Sequence, residues 1–189
     1  MQGKTHICGG VCLALLLTET GIYNTGGSVS DVGIMLLTAG IGSLLPDIDT
    51  KTSTISHKHK VVSFFSRLFF THRGFTHSLT AWVILSLVLA VLAILIPCVM
   101  PAALGISIGY LSHIVLDMFN YAGVPLFYPM DLKISIGKSK SGGILDKIIC
   151  IVMFGVAVCL LFMHFQPYMS LIVSQIMDLK EKLVNIFGM

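Results

Sequence analysis

Seven residues of two chemical types stand where an apolar run begins or ends: His6, Asp47, Asp49, His72, His77, His113 and Asp117. Ionisable groups at membrane depth are costly and usually functional. Imidazole and carboxylate together offer mixed nitrogen and oxygen donors, which suit Zn, with Mn or Fe next, better than Ca. The spacing adds to this. His113 and Asp117 are four apart, on one face of a helix, where they can share one metal or pair as imidazole and orienting carboxylate. Asp47 and Asp49 follow Pro46, which ends regular helix geometry, so two carboxylates can turn toward one site or bridge two ions. In His72-Arg73-Gly74-Phe75-Thr76-His77 two imidazoles lie five apart across a glycine, with Thr76 or Ser78 able to cap the helix that follows.

Each piece also has a plain structural reading. The aspartates could be a solvated helix end, Thr76 to Ser78 a helix cap, and His113 with Asp117 an interhelical hydrogen-bond pair. His57 and His59 alternate with Lys58 and Lys60, which oppose a divalent cation and suit a headgroup phosphate. His164, at the far end of the last long apolar run and without an acidic neighbour, reads as an interfacial residue and not a ligand. Cys8 and Cys12, four apart, could be soft-metal ligands; with no C-x-x-C pair they read instead as small hydrophobes, like Cys98, Cys150 and Cys159.

Membrane helices must position these groups. The chain of 189 residues is 55% apolar and 11% charged, where a soluble domain carries roughly a quarter charged residues; its mean hydropathy is +0.91. Runs such as 79–100 and 144–165 are long enough to cross about 30 Å of hydrocarbon. The expected class is all-α, a polytopic transmembrane bundle of 4–5 spans near 5–20, 32–45, 79–96, 102–120 and 144–165. Gly105 and Gly109 give the fourth span the small-residue spacing of a close helix contact. Beyond Pro167, Leu, Ile and Val mix with Lys180, Glu181 and Lys182, a pattern that predicts an amphipathic helix lying on the membrane. The chain thus divides into a metal-site core, 1–143, with four helices and the 50–78 loop, and a fifth span with an amphipathic tail, 144–189. No small-x-small cleavage site follows the first run, which is therefore expected to stay as a helix and not to be removed as a signal.

With five spans, Lys4, Lys51, Lys58, Lys60, Arg67, Arg73, Lys133, Lys138, Lys140 and Lys147 share one side, and only Lys180 and Lys182 the other. The positive-inside rule puts the first side in the cytoplasm of a multi-pass protein of the inner (plasma) membrane. All seven His and Asp positions then fall near the cytoplasmic face, although neither the apolar runs nor the Lys/Arg count used them. The net charge of +3 fits contact with anionic headgroups better than with nucleic acid. The expected partners are the bilayer and an amphiphilic, phospholipid-like substrate.

Gly42-Ser43-Leu44-Leu45-Pro46-Asp47-Ile48-Asp49, His72-Arg73-Gly74-Phe75-Thr76-His77-Ser78 and Gly109-Tyr110-Leu111-Ser112-His113-Ile114-Val115-Leu116-Asp117 together resemble the YdjM-type family, described as LexA-regulated, membrane-bound metal-dependent hydrolases. The resemblance runs from His6 to about Met130, and its HRGxTHS string is specific; the tail beyond Lys140 is not covered. It implies that the seven His and Asp residues occupy the family's polar motif positions. Gly123-Val124-Pro125-Leu126-Phe127-Tyr128-Pro129 looks like the family's G-V-x-L-x-x-P segment, with Tyr128 where many members carry Trp. The His-Pro often found after the second aspartate is missing, so a further ligand would come from elsewhere, such as His57 or His59. The His113 and Asp117 pair is also similar to one in zinc-dependent phospholipase C and related nucleases.

The expected mechanism is metal-assisted hydrolysis of a phosphoester in an amphiphilic or lipid substrate at the cytoplasmic membrane face. His6, Asp47, Asp49, His77, His113 and Asp117 are the expected metal ligands; Asp49, His72 and Arg73 form the catalytic set, with Arg73 on a phosphoryl oxygen. The competing class is a non-catalytic membrane protein that binds a metal structurally or moves ions. Transporters usually hold their ionisable groups near the bilayer midplane, and here they lie at helix ends. A third reading is a polar packing network without metal.

Overall fold

A computed structural model describes residues 1–22, 28–47, 75–130 and 132–187, apart from the side chains of 186 and 187. Five α-helices are present among them: α1 (Gly3–Glu19), α2 (Val29–Gly42), α3 (Leu79–Leu95), α4 (Met100–Met118) and α5 (Ile144–Phe187). Short 3-10 turns lie at Leu45–Asp47, Phe75–His77 and Pro97–Val99. Of the two residues expected to cap α3, Ser78 does so, its hydroxyl accepting from the Ala81 N–H at 3.1 Å. Pro101 sits in the first turn of α4, where its missing N–H costs nothing.

Among the described residues, three stretches are long and apolar enough to cross a membrane: Val29–Asp47, Pro97–Met118 and Ile144–Asn185. α1 and α3 have 17 residues each, or about 25 Å at 1.5 Å per residue, a length that crosses with flanking turns or local thinning of the bilayer. No break in the helix marks the boundary expected after Pro167. The 44 residues of α5 make one helix with Pro167 inside it, about 66 Å long and twice the hydrocarbon thickness.

Lipid tails are as apolar as the helices, so helix association here rests on close packing. α2 and α4 run parallel and meet through glycine. A Cβ on Gly42 would strike the Ile106 backbone, one on Gly105 the Met35 carbonyl, and one on Gly109 the Ala39 carbonyl. α1 runs against both, with Gly10 facing Ala39 and Ser43, and Gly9 facing Leu116. Ala14, Met35 and Ala39 form the buried cluster between these helices. α3 returns along α4, where Ala81, Tyr110 and Ile114 are buried together and the Trp82 indole N–H donates to the Ser107 carbonyl at 3.0 Å. α5 lies parallel to α1, packing Ala157 against Cys12 and Leu15.

The segment after α4 folds back under its C-terminus and supplies donors for carbonyls that have no partner within the helix. Ile136 N–H donates to Met118 O at 2.8 Å and Ser139 N–H to Phe119 O at 3.1 Å. Within it, β1 (Val124–Pro125) and β2 (Lys133–Ile134) pair antiparallel, a small sheet that the all-α expectation did not contain.

The packing predicts that Gly109→Val destabilises the protein by about 1–3 kcal/mol, as overpacking does. Gly33→Ala, where a Cβ meets nothing within 4 Å, should leave the melting temperature unchanged or slightly raised. Thermal unfolding of the two variants in the same detergent checks this.

Candidate metal centre

Four helix ends meet at one end of the bundle: the start of α1 brings His6, the turn after α2 brings Asp47, the turn before α3 brings His77, and the last turns of α4 bring His113 and Asp117. His113 is the best anchored. Its Nδ1 donates to the Ser43 carbonyl at 2.7 Å, which leaves Nε2 as the lone-pair nitrogen facing the cluster. The His6 ring stacks on it with centroids 3.8 Å apart and planes 16° from parallel, and the His77 ring meets it edge-on at 5.2 Å. Tyr110 donates its hydroxyl hydrogen to the Thr76 carbonyl, tying the turn before α3 to α4.

Two carboxylates face these rings. Asp117 Oδ1 lies 3.4 Å from His6 Nε2 and its Oδ2 3.5 Å from His113 Nε2, while Asp47 Oδ1 lies 3.4 Å from His77 Nε2. The Met1 amino nitrogen is 2.5 Å from Asp117 Oδ1. His6 and His113 are fully buried, and His77 and Asp117 nearly so; the Asp47 side chain is 34% exposed and marks the open side.

Ligand atoms of His6, His113 and Asp117 lie within 4.8 Å of one another, and so do those of Asp47, His77 and His113. The cluster could hold a divalent metal ion. His113 Nε2, His77 Nε2 and both ring nitrogens of His6 are buried without a hydrogen-bond partner among the described residues. Leaving a buried polar atom unpaired costs on the order of 1–3 kcal/mol, and the three Nε2 atoms each face a carboxylate oxygen, as metal ligands would. Asp49, His57, His59, His72 and Arg73 lie outside the described residues.

Two expectations about other residues change. His164 does have an acidic neighbour: its Nδ1 is 2.7 Å from Glu19 Oε1, where the end of α1 meets the middle of α5. The two are 145 positions apart in sequence, so only helix pairing could bring them together. Cys8 faces Cys150, with sulfurs 3.8 Å apart, while Cys12 is buried in the α1/α5 contact, so the two helix-neighbour thiols do not form a metal pair.

The model of the YdjM inner membrane protein family matches residues 1–179. The chain belongs to this family. It is a multi-pass protein of the inner membrane. The inner membrane protein YdjM of Escherichia coli is 38% identical over 117 residues, which cover 59% of this chain and 58% of that protein's length. YdjM of Shigella flexneri matches to the same extent. The Bacillus subtilis protein YvsG, named as uncharacterized, is 32% identical over 134 residues, 71% of this chain and 77% of its own length. No solved structure matches.

Zn²⁺ content of detergent-purified protein, measured by elemental mass spectrometry, should be near-stoichiometric in the wild type and negligible in the His113→Ala, Asp117→Ala double variant. His164→Ala, at the opposite end of α1, should keep wild-type metal content.

Proposed function

We propose that the protein is a membrane-bound metal-dependent hydrolase that acts on a phosphoester of an amphiphilic or lipid substrate at the cytoplasmic face. The observation that carries this reading is the set of buried, unpartnered imidazole nitrogens directed at Asp47 and Asp117 where four helix ends converge. Zn is the favoured ion, with Mn or Fe as alternatives, because the donors are imidazole nitrogen and carboxylate oxygen. A bound divalent ion would lower the pKa of a water molecule toward neutrality and polarise the scissile bond.

The chain's own residues divide the remaining work. His113, locked by the Ser43 carbonyl, presents one nitrogen in a fixed direction, and Asp117 offers one oxygen to His6 and the other to His113. Since His113 has only Nε2 to offer, the two three-residue groups either surround one ion or hold two with His113 committed to one of them. Asp49 is proposed to complete the ligand set and, with His72, to serve the reacting water; Arg73 is proposed to grip a phosphoryl oxygen through its planar fork.

Placement supports an amphiphilic substrate. The cluster lies at helix ends, and at that end of the bundle the segment with exposed Lys133, Lys138 and Lys140 folds back under α4 while exposed Tyr128 meets Phe75 edge-on. Cationic and apolar groups together suit an anionic headgroup with its chain in the bilayer. Helix-end placement, away from the bilayer midplane, favours hydrolysis over ion transport.

Hydrolysis should be sought with phosphate mono- and diesters of lipids in mixed micelles, with and without chelator. Headgroup or phosphate release should vanish with chelator and return with Zn²⁺. Asp117→Ala should lose more than the roughly 10–100-fold typical of residues outside the ligand shell. Arg73→Lys should lower kcat/KM while metal content stays at the wild-type level. Metal that binds without any phosphoester turnover, together with Zn²⁺ flux into proteoliposomes, would replace this reading with transport.

A further inference from the structure

α1 begins without a capping side chain of its own. Its N-cap residue is Gln2, which makes no side-chain cap bond. A carboxylate from another helix fastens this end instead. Asp146, in the first turn of α5 and 1% exposed, accepts three hydrogen bonds: from the Thr5 hydroxyl at 2.6 Å, the Gln2 N–H at 3.0 Å and the Gly142 N–H at 2.7 Å. Gln2 in turn receives, on its carbonyl, the N–H groups of Thr5 at 3.0 Å and His6 at 3.3 Å. One carboxylate thus fastens the first turn of α1 at two points and also holds the turn that leads into α5.

His6 depends on that grip more than the other imidazoles of the cluster do. His113 is oriented by a ring hydrogen bond to Ser43, and His77 has Thr76 Oγ1 at 3.2 Å from its Nδ1. Neither ring nitrogen of His6 has such a partner among the described residues. Its direction therefore comes from the stack on His113 and from the rotational setting of α1. Residues in an α-helix turn about 100° per position, so holding Thr5 toward α5 sends His6 round toward α4, where His113 and Asp117 lie. A helix end released from its partners opens at little cost in free energy, and the first turn of α1 is such an end.

We infer that Asp146, acting through Thr5 and Gln2, is the positioning residue for His6 in the metal centre. The inference rests on the metal-site reading above. Asp146 is not itself a ligand: its two oxygens are taken by the three donors, and it belongs to neither group of ligand atoms.

The test is Zn²⁺ affinity of the full-length protein in detergent, for the wild type, Asp146→Asn, Thr5→Val and Thr5→Ser, each alone and combined with His6→Ala. Asp146→Asn and Thr5→Val should weaken Zn²⁺ binding by about 10–100-fold, as loss of an outer support does. Thr5→Ser, which keeps the hydroxyl, should restore wild-type affinity. In the His6→Ala background neither Asp146→Asn nor Thr5→Val should have a further effect. Wild-type affinity in both single variants, or an undiminished effect in the His6→Ala background, would overturn the positioning role and leave the metal site standing. A wild type that binds no Zn²⁺ would overturn the site itself and this inference with it. Thr5→Val removes one hydrogen bond and nearly preserves shape, so it carries the test should Asp146→Asn not fold.

Discussion

Three glycines let α2 and α4 approach until backbone meets backbone, and the candidate metal centre depends on that approach. Gly42, Gly105 and Gly109 each face backbone of the opposite helix where a side chain would otherwise stand. Only at that separation can the carbonyl of Ser43, at the end of α2, accept a 2.7 Å hydrogen bond from His113 on α4. The bond fixes the tautomer and direction of the ring on which His6 stacks and which His77 meets edge-on. Packing of small residues and placement of ligands are in this protein one constraint.

Burying three imidazoles beside two carboxylates without hydrogen bonds between them is unfavourable for a packing network. Such a network would close the 3.4–3.5 Å gaps into hydrogen bonds, because buried polar groups left unpaired destabilise a helix bundle. His113 shows the chain can satisfy a buried imidazole when a carbonyl is in reach, since its Nδ1 is bonded while its Nε2 is not. In the cluster, the Nε2 atoms of His6, His77 and His113 are the ones left unsatisfied, and each faces a carboxylate oxygen, an arrangement that could hold a metal ion.

α5 stands apart from this economy of contacts. Its first turn closes the site end through Asp146, and its middle packs on α1 at Ala157, yet most of its apolar side chains are exposed. Its contribution to the centre is made at its N-terminus, where one carboxylate joins the start of α1 to the turn before α5.

Composition and apolar runs were enough to establish a predominantly helical membrane protein, because spanning hydrocarbon demands long runs that no soluble fold needs. Spacing exposed His113 with Asp117, and the helix-end positions of His6, Asp47 and His77, since polar residues inside such runs stand out against the background. Local rules failed where a residue's partner lies far along the chain. Asp146 reads as an ordinary acid at a helix start, yet it binds residues 141 and 144 positions away; His164 finds Glu19 in the same way. The pairing of Cys8 with Cys150 in place of Cys12 was likewise settled by three-dimensional surroundings. Sequence determined which groups could do chemistry and at which end of the helices they stand. Tertiary structure decided which of them touch, because the rotation and depth of each helix come from small-residue contacts and buried hydrogen bonds between segments distant in the chain.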